Sequence, residues 1–160
     1  MRSKFLEIRH SFRNYYELYT DGSKDVSNDI TKTSRLADRT SIFTAELYAI
    51  VLAYMLVYRK HHKQFIVFSD SLSALQAIRN FDVDNDLVMH IVGEHLRLEK
   101  SGKHVELCWI PSHVGITENE KADAAAKAAL QITFSKLPAT DLYPSVSQYC
   151  SSEWQVSWES

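Results

Sequence analysis

The sequence lacks the features of several common classes of protein. It has only two cysteines, Cys108 and Cys150, and no CxxC pair, which argues against a structural zinc site. No stretch has the pattern of a signal peptide. The longest apolar stretch, 45–58, contains Glu46 and is shorter than the roughly 20 apolar residues that cross a bilayer. We therefore expect an intracellular protein, nuclear or cytoplasmic, with no membrane partner.

The chain also lacks an excess of positive charge. It has 18 Lys and Arg against 20 Asp and Glu, which gives a formal net charge of −2. Proteins that bind nucleic acids usually carry a basic excess, because Lys and Arg neutralise the phosphates. A nucleic-acid partner would therefore have to be bound through a local basic patch or through divalent cations.

Strand and helix patterns alternate along the middle of the chain. Residues 15–20 and 65–68 each predict a strand that ends at an Asp-containing turn. Helical spacing of apolar residues predicts a helix over 44–58 between them, with Ser41 or Thr44 as its N-cap. This order predicts two parallel strands, which would bring Asp21 and Asp70 to the same sheet edge. The later predicted elements are a helix over 71–80, a helix over 87–100, a strand over 105–109 with Val105, Leu107 and Trp109 on one face, and a helix from 117 to about 131.

Composition also predicts the domain organisation. The 160 residues suit one domain with its own core. We expect an N-terminal extension over 1–14, a domain over 15–133 and an irregular tail over 134–160. The interval 24–40 is polar and poorly patterned, and only 30–36 predicts a short edge strand there.

Four acidic residues stand at the boundaries of the predicted elements. They are Asp21, Glu46, Asp70 and Asp123. Carboxylates without local partners are typical of a site for hard divalent cations. Each could instead cap a helix or a turn, and Asp70 in particular precedes a predicted helix. His113 lies in a loop marked by Pro and Gly, and histidine there suits proton transfer or product release better than metal binding.

Five short motifs carry a family resemblance. They are Tyr19-Thr20-Asp21-Gly22-Ser23, Ala45-Glu46-Leu47, Ser69-Asp70-Ser71, the segment from Trp109 to Gly115, and Asn119-Glu120-Lys121-Ala122-Asp123. In this order, over about 19–130, they resemble type 1 ribonuclease H. Residues 41–47 and the tail with Trp154 and Trp158 are similar to the ribonuclease H domain that ends non-LTR retrotransposon reverse transcriptases.

The resemblance implies a fold, a reaction and a set of site residues. The fold is α/β, with a mixed and nominally five-stranded sheet flanked by helices. The reaction is endonucleolytic hydrolysis of the RNA strand of an RNA–DNA hybrid with two Mg²⁺ ions, for which Mn²⁺ is the alternative. The catalytic residues implied are Asp21, Glu46, Asp70, Asp123 and His113, of which the four acids are the metal ligands. The substrate-binding residues implied are Gly22, Ser23, Ser71 and Asn119. The chain would be a monomer, with a reverse transcriptase polymerase domain as a partner.

Three departures from the family pattern keep an alternative open. The interval 24–40 is short by most of a strand, so one strand of the sheet is expected to be shortened or missing. Ile42 and Phe43 stand where relatives place polar residues that contact RNA 2′-hydroxyls. An acidic link, Asp82, Asp84 and Asp86, replaces the basic protrusion of some relatives. The alternative is an inactive retroelement remnant that acts as a nucleic-acid-binding or interaction module. A transposase or integrase core is a third class, against which His113 and the 119–123 motif argue.

Overall fold

The structure is a computed structural model. It describes residues 2–20, 24–25, 30–31, 35–36, 40–112, 115–128 and 132–134. The described elements are α1 (Arg2–Ser11), β1 (Tyr16–Tyr19), β2 (Lys24–Asp25), β3 (Ile30–Thr31), β4 (Arg35–Leu36), α2 (Ile42–Arg59), β5 (Gln64–Ser69), α3 (Leu72–Arg79), α4 (Asp86–Lys100), β6 (His104–Trp109), α5 (Thr117–Ala128) and β7 (Ile132–Phe134).

Three parallel strands form the centre of the sheet. β5 lies between β1 and β6, with Tyr19 opposite Phe68 and Ser69 opposite Trp109. The predicted parallel pairing of the first strand with the strand after α2 is therefore confirmed, as is the α/β class. Because the three strands are parallel, their carboxyl ends meet at one edge of the sheet, where open α/β sheets usually bind ligands.

A minimal hairpin follows β1. β2 pairs antiparallel with β1, and β3 pairs antiparallel with β2, which gives the strand order β3-β2-β1-β5-β6. β4 and β7 form a separate parallel pair. The full five-stranded sheet of the family stays a prediction, because β2 and β3 have two residues each and the residues beside them lie outside the described ones.

Both faces of the central strands are buried, because residues of a strand point alternately to opposite faces. Leu18, Phe65 and Val67 belong to a core cluster shared with α2, α3 and α4. Tyr19, Ile66 and Phe68 point the other way, into a second cluster that includes Ala122 of α5. The continuous apolar run of β5 is thus explained by helices on both sides.

Helix α1 covers part of the second face. Phe5 is 6% exposed, and its ring lies 5.5 Å from the ring of Phe68, edge to face. Ile8 and Phe12 pack against the same cluster. The sequence predicted only an extension over 1–14, so this packed helix was missed, whereas the predicted domain boundaries themselves remain a prediction.

Helix α2 is the central helix of the larger core. Of the two predicted caps it is Ser41 that caps its start, by accepting a hydrogen bond from Thr44 N at 3.1 Å. At 18 residues α2 is longer than the apolar stretch read from the sequence, and by length and composition alone it could cross a membrane. However, 56% of it is buried within the domain, as in the core helix of a soluble protein. A single such helix is therefore weak evidence for a membrane span.

Candidate active site

Asp70 is the first residue beyond the carboxyl end of β5. Ser71, and not Asp70, caps the following helix, because its hydroxyl accepts a hydrogen bond from Ala74 N at 3.4 Å. The interpretation of Asp70 as an ordinary helix cap is therefore wrong. Its carboxylate is left for contacts at the edge of the sheet.

Two side chains from other elements hold Asp70. Asn119 Nδ2 donates to Asp70 Oδ2 at 3.1 Å, and Trp109 Nε1 donates to the main-chain oxygen of Asp70 at the same distance. Asn119 is only 4% exposed. Because a carboxylate only accepts hydrogen bonds, the amide must present its NH₂ group to it, which fixes the orientation of Asn119. The carboxylate and the peptide of Asp70 are thus fixed from α5 and from the end of β6.

Trp109 is the exposed residue of its strand face. The alternation in the sequence predicted Val105, Leu107 and Trp109 on one face, and of these Val105 is buried whereas Trp109 is 45% exposed. As the last residue of the strand at the edge of the sheet, Trp109 lies opposite Ser69, so its indole N–H reaches the peptide that follows β5. Its role at the site was missed, and the only signal in the sequence was an indole that needs a partner.

An open cleft of about 480 Å³ brings three of the predicted carboxylates together. Glu46 from the start of α2, Asp70 from the end of β5 and Asp123 from α5 all line it. The other lining residues are Ile42, Ser71, Leu72, Ser73 and Ser112. Ser71 was predicted to bind substrate. Ser73 and Ser112 were missed, although Ser112 directly precedes the predicted catalytic histidine.

Four predicted site residues lie outside the described part of the chain. They are Asp21, Gly22, Ser23 and His113. Asp21 directly follows Thr20, and the main-chain N–H of Thr20 donates to Phe68 O at 2.9 Å. The pairing of β1 with β5 therefore continues up to the residue before Asp21. The positions and roles of these four residues stay predictions.

The structure describes the positions of two of the departures from the family pattern. Ile42 is 82% exposed and borders the cleft, whereas Phe43 packs against the larger core. Asp82 and Asp84 are exposed between α3 and α4, and Asp86 is exposed as the first residue of α4. None of the three lines the cleft. An apolar side chain, and not a pair of polar ones, therefore stands at the rim of the cleft beside Glu46.

The donor set of the cleft fits a hard divalent cation. The described lining offers three carboxylates and three serine hydroxyls, with no Cys or His. Mg²⁺ prefers carboxylate oxygens and keeps several waters, so a wide open cleft with few protein ligands suits it. Soft metals, which select thiolate and imidazole ligands, fit this lining poorly.

Comparison with known proteins agrees with this geometry. The family model described as RNase H matches residues 13–131, which include every element from β1 to α5. A search of curated proteins found no match. The match covers well over half of the chain and contains the three carboxylates of the cleft together with Asn119. The chain therefore belongs to the RNase H family.

Proposed function

We propose that this domain hydrolyses the RNA strand of RNA–DNA hybrids by a two-metal mechanism. The observation that carries the proposal is that Glu46, Asp70 and Asp123 line the same cleft at the carboxyl end of the parallel strands. Members of the RNase H family in general cleave such hybrids and use divalent metals such as Mg²⁺. The type 1 five-stranded fold, the pair of ions, Mn²⁺ as an alternative and the activity of this chain are parts of the proposal.

The chemistry explains why carboxylates are needed. Hydrolysis of a phosphodiester requires a deprotonated water, neutralised phosphoryl oxygens and a stabilised leaving oxygen, and a pair of Mg²⁺ ions supplies all three when bound. Glu46, Asp70 and Asp123 would hold the ions, with Asp21 as the proposed fourth ligand. Asn119 orients one oxygen of Asp70 through the 3.1 Å hydrogen bond and leaves the other for a metal.

The remaining residues would handle protons and substrate. His113 is the proposed group for proton transfer or product release. Gly22, Ser23, Ser71 and Asn119 are the proposed substrate contacts. Ile42 cannot hydrogen-bond an RNA 2′-hydroxyl through its side chain, so RNA would be selected by backbone groups or by the cleft serines.

The wider context of the chain is also a proposal. The residues of 41–47 and of the C-terminal tail favour a domain from a retrotransposon reverse transcriptase, with a polymerase domain as its partner. We propose an intracellular monomer with the domain over 15–133, preceded by an extension and followed by an irregular tail.

The decisive experiment is cleavage of a hybrid whose RNA strand is labelled at its 5′ end. We expect the parent chain to cut it in Mg²⁺ and the Glu46→Gln and Asp123→Asn variants to lose cleavage while keeping their thermal stability. Asp84→Asn is the matched control, because it removes the same charge from an exposed residue outside the cleft. A parent that binds the hybrid without cutting it would instead support the inactive module.

A further inference from the structure

The end of the sheet opposite the cleft collects positive charge. The loops that precede β1, β5 and β6 lie side by side there, because the three strands are parallel neighbours. The cations in these loops are Arg13 before β1, Lys60 and Lys63 before β5, and Lys103 before β6. Arg59 and Lys100 join them as the last residues of α2 and α4. We call these six side chains the basic end. They are six of the 18 Lys and Arg residues of the chain, although its net charge is −2.

Hydrogen bonds and a cation–π contact join the loops of the basic end into one surface. Lys103 Nζ donates to Val57 O at 2.8 Å and to Lys60 O at 2.7 Å, so it caps the end of α2 from the loop before β6. His104 N donates to Lys63 O at 2.7 Å. Lys60 Nζ lies 5.2 Å from the centre of the Tyr16 ring at the start of β1. These contacts hold the three loops together as one continuous surface.

Most of the positive charge at this end is not neutralised. Arg13, Arg59, Lys63 and Lys100 are exposed, and none of them forms a salt bridge within the part of the chain that the structure describes. Two carboxylates near this end, Glu99 and Glu106, form hydrogen bonds with His104 and keep their negative charge. They offset part of the charge of the six cations, which still outnumber them. Unpaired cations in close proximity repel one another, and a bound polyanion would relieve this repulsion.

We propose that the basic end binds the sugar–phosphate backbone of a single-stranded nucleic acid, at a surface separate from the cleft. The six residues of β5, at about 3.3 Å each, place the two ends of the sheet about 20 Å apart. A duplex across the cleft is a stiff rod, with a persistence length of about 50 nm, and cannot bend round to the other end. A flexible single strand that continues from a hybrid can follow the surface of the domain. The proposed catalytic function already gives the domain a nucleic-acid partner, and this surface adds a second contact.

The test is binding of a fluorescein-labelled oligothymidylate, measured by fluorescence anisotropy in EDTA. About 20 nucleotides suffice, since single-strand sites usually span roughly 4–16. The basic-end variant is Arg59→Gln/Lys63→Gln/Lys100→Gln. The matched control is Lys4→Gln/Arg79→Gln/Lys121→Gln, which removes the same charge from exposed residues of α1, α3 and α5. None of the six substituted side chains lines the cleft.

We expect the basic-end variant to bind more weakly, with a smaller dependence on salt. Each phosphate contact to a single strand contributes about 0.7 to the slope of log affinity against log salt, so three lost contacts lower the slope by about 2. Between about 50 and 200 mM salt the parent should therefore lose roughly 10- to 20-fold more affinity than the variant. The control variant should keep the parent slope.

Two outcomes would overturn the inference. Equal losses in both variants would mean that only net charge matters. Displacement of the oligothymidylate by polyglutamate at equal charge concentration would assign the surface to an acidic protein segment. The assay contains no hybrid and no divalent cation, so it is independent of the proposed catalysis. A parent that fails to cut hybrids could still bind the single strand, and a basic-end variant that fails to bind it should still cut a short blunt hybrid.

Discussion

The hydrogen bond from Asn119 to Asp70 offers the sharpest test of the site. Asn119→Ala removes the 3.1 Å contact to Asp70 Oδ2 from a side chain that is 4% exposed. Water cannot easily take the place of a donor buried to this extent. The carboxylate would therefore lose the group that orients it, without losing its charge.

The magnitude follows from the chemistry of the contact. A hydrogen bond to a charged group contributes about 1.5–3 kcal/mol, and loss of a partner that orients a metal ligand typically costs about 10–100-fold in metal affinity or activity. We therefore expect Asn119→Ala to lower both Mg²⁺ affinity and kcat/KM by about 10–100-fold. Trp109→Phe also removes a donor to Asp70, but Trp109 is 45% exposed and its acceptor is a peptide oxygen. Water can replace that contact, so the loss should stay below about tenfold, in line with about 0.5–1.5 kcal/mol for a neutral hydrogen bond.

Calorimetric titration with Mg²⁺ and steady-state cleavage of a labelled hybrid would measure the two effects. Thermal melting of both variants separates a local effect from unfolding, and Asn119→Ala should remain folded at the assay temperature. Parent-like Mg²⁺ affinity and parent-like kcat/KM in a folded Asn119→Ala protein would refute the reasoning. A larger loss in Trp109→Phe than in Asn119→Ala would refute the argument from burial.

Three further predictions concern charge and protons. Asp70→Asn keeps the shape of the side chain and removes its charge, so hybrid cleavage in Mg²⁺ should be abolished, and cleavage at the parent rate would exclude the two-metal proposal. His113→Ala should be slower by roughly 10²–10⁴-fold with Mg²⁺ binding little changed in calorimetry, as expected for a group that moves protons and is not a ligand. Hydrogen bonds to Glu106 and Glu99 raise the pKa of His104 above its usual 6.5. Because the pKa of His104 is higher in the folded chain than in the unfolded chain, its protonation stabilises the fold. This contribution is complete at a pH below the pKa of the unfolded chain, and it is lost as the pH rises through the pKa of the folded chain. Urea unfolding of the parent and of Glu99→Gln/Glu106→Gln should therefore differ more at about pH 5 than at about pH 8, and an equal difference at both would contradict the assignment.

The sequence predicted the elements whose ends are marked by turn or cap residues next to them in the chain. The apolar run of β5 ends at Ser69-Asp70-Ser71, and the buried strand and its acidic end were read from that pattern alone. Ser41 was recognised as a possible cap because a polar residue precedes the apolar period of α2. These signals lie within a few residues of one another, so no knowledge of the tertiary structure is needed to read them.

The contacts that the sequence missed depend on pairing between distant segments. Trp109 reaches Asp70 only because β5 and β6 pair in the register that sets Ser69 opposite Trp109. Helix α1 was missed for a different reason. Phe5, Ile8 and Phe12 have helical spacing, but they are separated by charged residues, and the second face of the sheet that buries them was not visible in the sequence.

Net charge is a poor guide to the proposed binding, because the fold separates the charges. The carboxylates of the cleft lie at the carboxyl end of the parallel strands, and the cations of the basic end lie in the loops and helix ends at their amino end. These cations come from three distant parts of the sequence, so no local window shows all six, and the parallel pairing of β1, β5 and β6 assembles them. A polyanion is attracted by the local field and not by the sum over the chain, and in salt near the physiological concentration this field decays over about 8 Å. The two ends are about 20 Å apart along β5. At that salt concentration the negative charge of the cleft therefore lowers the positive potential at the basic end only slightly. The proposed binding of a phosphate backbone at one end and of divalent cations at the other is therefore compatible with a net charge of −2.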